Sequence, residues 1–255
     1  GDRVVATGRD VARLGESLAG AGDSLFALRL DVTDDASVGA AVAAAVARFG
    51  CIDVLVNNAG YGQLGAFEET SPEAIERQFE TNVFGVFRVT RAVLPHMRAR
   101  RAGRIINISS MVGIVGADGG AVYAASKFAV TGWSESLGKE LARFGIFVIS
   151  VHPGYFRTDF LDGSSMKSAD LSLSDYAESS AAATRRRASY NHNQAGDPAA
   201  FGRAMVALAA VAEPPAMFVA GSDAAALVAA KAEAMRENVA AWRDLSVSTD
   251  FPRKP

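Results

Sequence analysis

Short aliphatic and β-branched runs alternate along the chain with longer stretches whose apolar positions recur at helical spacing. The runs predict strands at 3–7, 25–30, 52–57, 104–109, 146–151 and 217–220. The stretches between them predict helices near 10–20, 34–49, 72–99 and 122–144. Each predicted strand is apolar at nearly every position, as expected when helices cover both faces of a sheet. Strand and helix in steady succession predict an α/β fold built on a doubly wound, parallel, Rossmann-like sheet. The helix starts agree. Ser71 followed by Pro72 supplies an N-cap and a proline at the first helical position. Asp34 and Asp35 load the start of the second helix with negative charge. There is no internal repeat and no linker rich in Pro, Gly or Ser, so one domain is expected over residues 1–255.

The rhythm fails between 159 and 202, a polar and weakly periodic stretch. It follows the strand tip at Val151 to Pro153, so it crosses the carboxyl edge of the sheet, where such folds bind ligands. It reads either as a mobile, partly helical substrate lid or as a plain surface excursion.

Composition narrows the classes. Of 255 residues, 49% are hydrophobic and 21% charged, enough for a sizeable core and too apolar for a disordered chain. A net charge of −2 favours neither nucleic acid nor an anionic membrane as partner. Arg98, Arg100, Arg101 and Arg104 read as the end of a long helix, where cations complement the dipole, in preference to an anion site. Arg185 to Arg187 form a second basic cluster. The single Cys51 rules out an internal disulfide and fits a reducing compartment, so the cytoplasm is the expected location. No apolar run reaches membrane-spanning length, and the Ala-rich stretch Ala40 to Ala47 reads as a packed helix.

The most visible glycine motif is misleading. Gly60-Tyr-Gly62-Gln-Leu-Gly65 follows a predicted strand, but the next helix opens only at Ser71, too late to face a pyrophosphate. A stronger constellation is Tyr123-Ala-Ala-Ser-Lys127, where spacing of four puts a phenol and an ammonium on one helical face. A phenol with pKa near ~10 is a poor proton shuttle at neutrality, and a fixed cation beside it favours the phenolate. A solvent-exposed Tyr–Lys helix pair is the plainer alternative. Ser109 and Ser110 end an apolar strand, so a hydroxyl stands at the sheet's carboxyl edge. Asn82 lies in a helical pattern that asparagine supports poorly, which suggests either a functional role or a buried side-chain cap. His96, His152 and His192 lack metal-ligand spacing and read as packing or surface residues; no metal site is expected. Asn107-Ile-Ser109 matches a glycosylation sequon but falls inside a predicted buried strand. Met111, Tyr155, Phe156, Phe160 and Leu161 follow the catalytic edge and either line an apolar pocket or fill core.

Taken in order, Asp31-Val-Thr, Asn57-Asn-Ala-Gly60, Asn82, Ser110, Tyr123-x-x-x-Lys127 and Pro153-Gly-x-x-x-Thr158 resemble the landmarks of the short-chain dehydrogenase/reductase family. The resemblance runs from residue 1 to about 160, and its Ser–Tyr separation selects Ser110 over Ser109. Asn57 to Gly65 with Glu68 and Glu69 resembles bacterial reductases similar to 17β-hydroxysteroid dehydrogenases. The resemblance implies that Tyr123 is the general acid or base and that Lys127 lowers its pKa and binds the nicotinamide ribose. It implies further that Ser110 orients and polarises the substrate oxygen, and that Asn82 holds a water relaying protons through Lys127. Asp31 and Val32 would frame adenine, and Asn58, Ala59 and Gly60 the adenosine side. Pro153, Gly154, Phe156 and Thr158 would hold the nicotinamide amide. It also implies a small carbonyl or alcohol substrate, apolar or steroid-like by subgroup, and a homodimer or homotetramer formed through the helices at 72–99 and 122–144.

Cofactor choice is expected at the start of the chain. An NAD site places a carboxylate at the end of the second strand to bind the ribose diol. The corresponding position is Gly8, with Arg9 next, and a guanidinium suits a 2′-phosphate. Asp10 reads as a helix cap. NADP(H) is therefore expected over NAD(H). The strand at 3–7 is then the family's second; its first strand, glycine-rich TG-x-x-x-G-x-G loop and first helix would lie upstream of residue 1. A fragment of a competent enzyme is the expectation, with weak cofactor binding and poor stability if the chain were entire. The expected function is an NADP(H)-dependent carbonyl/alcohol oxidoreductase. A nucleotide-binding regulatory or scaffold protein is the rival. A related sugar-nucleotide epimerase or dehydratase is disfavoured by the short C-terminal region.

Overall fold

A computed structural model describes residues 2–18, 22–163 and 165–251. It opens with β1 (Val4–Gly8), α1 (Val11–Ser17), β2 (Leu25–Arg29), α2 (Asp35–Phe49), β3 (Val54–Asn57) and β4 (Gly62–Leu64). Then come α3 (Pro72–Phe79), α4 (Gly85–Arg100), β5 (Gly103–Ile108), α5 (Ala121–Leu141) and β6 (Ile146–Pro153). The last part holds β7 (Met166–Ser168), α6 (Ala177–Tyr190), α7 (Pro198–Ala210), β8 (Met217–Ala220), α8 (Ser222–Ala241) and α9 (Arg243–Val247). Every strand pairing is parallel, as the continuous apolar runs require. The sheet order is β3-β5-β6-β8, with β1-β2 and β4-β7 as separate pairs. Among the described residues no ladder joins β1 to β3.

The predicted strands stand within about two residues of the observed ones, because buried Ile105, Ile106, Ile149 and Val151 dictate them. One core cluster packs α4 and α5 on the sheet through Val93, Met97, Leu137, Ile105, Ile146 and Val148. The opposite face is covered by α7 through Leu208 against Ile106, Ile149 and Val151. Val32, Val38 and Val89 tie α2 to α4. The expected caps form: the Asp10 side chain accepts from Arg13 N, Asp34 from Ala36 N and Ser71 from Ala74 N. Arg98 and Arg100 occupy the last turn of α4, and Arg101 ends it in the left-handed region at φ 52.

Three expectations need correction. The helix predicted at 72–99 is broken by a π turn at Glu80–Phe84, and the one at 122–144 ends as a 3-10 turn, Ala142–Phe144. The helix expected at 10–20 is observed as Val11–Ser17, and residues 19 and 20 lie outside the described ones. The stretch 159–202 is partly helical, as one of its two readings had it, carrying β7, α6 and the start of α7. Within the glycine motif, Gly62 to Leu64 form strand β4 and the chain does not run from Gly65 into an α-helix. A Cβ on Gly62 would meet the Met166 sulfur at 2.4 Å, and Gly65 sits at φ +137 against Ala169. Close approach of β4 to β7 is therefore what those two glycines serve.

Candidate active site

The β5 chain leaves the sheet at Ser109, whose N–H still donates to Val151 O at 2.8 Å. Ser110 follows in extended backbone and caps the 3-10 turn Met111–Gly113, its Oγ accepting from Val112 N at 3.3 Å. Helix α5 runs past this corner and presents Tyr123 and Lys127, both buried, one turn apart as their spacing required. Lys127 Nζ donates to Ile108 O at 2.8 Å and lies 5.8 Å from the Tyr123 ring centroid. From the same helix, Lys127 O accepts from Ser109 Oγ at 3.0 Å and from Thr131 Oγ1 at 2.8 Å. The turn that carries Ser110 is thus clamped from the helix side.

Burial governs the electrostatics. It pushes the Tyr123 phenol well above its ordinary range, with Tyr155 adding to the rise; the Ser110 hydroxyl facing the phenol works the other way. Burial likewise pulls Lys127 down to about 8. The Lys127 ammonium is turned to the Ile108 carbonyl, and burial opposes charge on both groups.

Asn82 resolves toward the cap. It sits in the π turn, 1% exposed, with Oδ1 accepting from Tyr61 N at 3.0 Å and Nδ2 donating to Tyr61 O at 2.9 Å. A third contact, Nδ2 to Ser126 Oγ at 3.3 Å, ties it to α5. Asn57 bonds Asn107 Oδ1 and Thr90 Oγ1, so the buried amides form a rigid polar layer under the site.

A cavity of about 1060 Å³ opens over Tyr123 and Lys127. Asn58, Gly60, Ser110, Pro153, Gly154 and Thr158 border it, as do all five apolar candidates, Met111, Tyr155, Phe156, Phe160 and Leu161. The Phe160 ring lies 6.2 Å from that of Tyr123. Gly8, Arg9, Asp31, Val32, Ala59 and Asn82 do not border it. The first four gather elsewhere, where β1 meets the β2–α2 turn: Leu30 N donates to Gly8 O at 2.9 Å. The Asp31 carboxylate accepts from Thr33 N and Oγ1, which lowers its pKa, with the Arg9 and Arg29 charges adding less. Val32 packs into core against Gly85. The Arg9 guanidinium has no ion pair among the described residues.

Sequence reading missed three groups. His152, taken for a packing or surface residue, is fully buried and touches Ser110 O through Nδ1. Asp223, on the first turn of α8, accepts from Tyr155 N at 2.8 Å and leaves no room for a Cβ at Gly154. Glu69 is a buried carboxylate accepting from Leu173 N at 3.1 Å and Ser180 Oγ at 2.7 Å. Ser71 and Asp170 bond beside it, and Tyr176 donates its phenol to Glu68, so segment 66–71 clasps segment 168–180 over the cavity. An acid pair ahead of Ser71-Pro72 was the one available signal.

Comparison with known proteins agrees with this geometry. The model of the short chain dehydrogenase family matches residues 1–168. Oxidoreductase BOA17 of Botryotinia fuckeliana is 35% identical over 98% of this chain and 90% of its own length. A crystal structure of a short-chain dehydrogenase from Streptomyces avermitilis superposes with TM-score 0.88 at 37% identity, covering 98% of this chain and 91% of that one. A gluconate 5-dehydrogenase from Burkholderia cenocepacia, solved with NADP and tartrate, gives TM-score 0.59 at 34% identity, over 64% of this chain and 65% of its own.

Proposed function

The chain belongs to the short-chain dehydrogenase/reductase family, as an enzyme dependent on a nicotinamide cofactor, and we propose that it uses NADP(H) to interconvert a carbonyl compound and a secondary alcohol. The observation that carries this reading is the buried Ser110–Tyr123–Lys127 corner opening on one large cavity.

The described residues suit such a cofactor. Asn58, Gly60, Pro153, Gly154 and Thr158 border the cavity beside Lys127, and the unpaired Arg9 guanidinium beside Gly8 suits a 2′-phosphate. Asp31 and Val32 would stand beside the adenine. The cofactor supplies the hydride; the protein supplies position and proton. Tyr123 holds its proton, because burial keeps the phenol neutral, and gives it to the carbonyl oxygen. Ser110 donates to that same oxygen. Lys127, poised near 8, holds or releases a proton around neutral pH and would hold the nicotinamide ribose. Asn82 keeps the Tyr61 backbone in place beneath the relay. Segment 159–202 is the substrate lid, and Met111, Phe160, Leu161, Met166 and Leu171 favour a bulky apolar substrate. Exposed Phe84 and Phe128 on the outer helices favour a homo-oligomer, and the free Cys51 a reducing compartment such as the cytoplasm.

Tyr123→Phe tests the mechanism. Turnover should fall by roughly 10²–10⁴-fold while NADPH binding, followed by cofactor fluorescence, is kept. Retained turnover would sink the assignment. Wild-type protein that binds NADPH and reduces nothing on a broad carbonyl panel would favour the scaffold reading.

A further inference from the structure

We propose that His152 is a positioning residue for Ser110, fixing through its ring N–H the peptide that carries the reactive hydroxyl. This rests on the reading of Ser110 given above. Ser110 lies beyond the last rung of the β5–β6 ladder, which pairs Ile108 with Val151, so neighbouring strands do not hold its peptide. The Ser110 carbonyl instead accepts from two donors, Gly113 N at 2.9 Å and His152 Nδ1 at 3.0 Å. The first closes the local turn. The second reaches across from β6 and ties that turn to the sheet.

The chemistry of the ring assigns its proton. A carbonyl only accepts, so Nδ1 carries the hydrogen, and Nε2 accepts from the Ser150 hydroxyl 2.7 Å away. His152 is 0% exposed, and burial, with the Lys127 charge as a lesser contribution, holds its pKa below the ordinary histidine value. The ring is therefore neutral at physiological pH and locked in one tautomer. Three consecutive residues at the strand end are thus each gripped: Ile108 O by Lys127 Nζ, Ser109 Oγ at Lys127 O, and Ser110 O by His152. Two grips come from α5 and the third from β6. His152 does not border the cavity, so it acts through Ser110 and not on substrate.

Three variants separate this role from ordinary packing. Asparagine can place Nδ2–H where Nδ1–H stands, glutamine reaches the Nε2 position, and leucine offers neither. His152→Leu should lower kcat roughly tenfold, the loss of one hydrogen bond of about 1.4 kcal/mol. NADPH affinity should stay within about twofold, as expected when only the Ser110 hydroxyl is displaced. His152→Asn should recover most of the loss, and His152→Gln should not. In a Ser110→Ala background, His152→Leu should cost nothing further, because the hydroxyl it positions is gone. Equal losses in both backgrounds, unchanged kcat in His152→Leu, or Asn no better than Gln would each overturn the proposal. If His152→Leu yields no folded protein, the Asn–Gln comparison decides alone. Wild-type inactivity toward every carbonyl would instead defeat the reductase reading and is distinguishable from all of these.

Discussion

The β5–β6–α5 corner and the β1–α1–β2 unit are both strand ends that face the proposed cofactor, and they are built in opposite ways. At the corner, Asn82, Ser109, Ser126, Lys127 and His152 are buried, and each spends its polar atoms on backbone or on another buried group. At the end of β1, Arg9 and Asp10 face solvent. The difference separates two tasks. Proton chemistry needs groups whose positions are over-determined in a dry environment. Choosing between two cofactors that differ by one phosphate needs only a charge at the right place on a surface.

That division can be broken by mutation. Asn82→Ala should show the largest effect, because Asn82 is fully buried and its loss removes the acceptor of the Tyr61 N–H and one of the two donors to the Tyr61 carbonyl, Gln78 Nε2 being the other. A loss of about 1–3 kcal/mol in unfolding free energy is expected from denaturant titration, with turnover reduced alongside. A loss under about 0.5 kcal/mol would show that the corner is no stiffer than a surface site.

Titration of Lys127 is the intermediate test. Its folded-state pKa is depressed, to about 8 against the ordinary 10.5. Below 8 both states are protonated and the burial penalty is felt in full. Between 8 and 10.5 the unfolded chain keeps a proton that the folded chain has released, so stability should rise with pH across that window. Lys127→Met should flatten the rise. An unchanged slope would mean that another group titrates there.

Gly8→Asp should affect stability least, by less than about 0.5 kcal/mol. It should nonetheless move the NADPH-to-NADH preference roughly 10- to 100-fold toward NADH, the worth of one charge-assisted contact. A preference that stays put while stability falls would reverse the contrast drawn here.

What the sequence made legible follows the same line. Strands buried on both faces announce themselves as apolar runs, and Tyr123, Lys127 and Ser110 follow from spacing along single elements. The π turn at Glu80–Phe84 left no mark, because one extra residue hardly disturbs a 3.6-residue period. Helix α6 buries no residue and α8 only Ala224, so neither carries the apolar stripe that periodicity detects. Three-residue β4 and β7 hid behind glycines that read as a loop. His152 and Asp223 were invisible for a further reason. Their partners are 42 and 68 residues away, and only the sheet order brings them together.

The clasp between segments 66–71 and 168–180 bears on when the site exists during folding. Its bonds from Glu69 close loops of 104 and 111 residues, spans whose ends meet late because chain entropy resists them. The strands and helices between those ends must already be in place for the carboxylate to find Leu173 and Ser180. The bonds of the Ser110–Lys127 corner close far shorter loops, of 18, 19 and 42 residues, so contact order alone would have the corner form before the clasp above it.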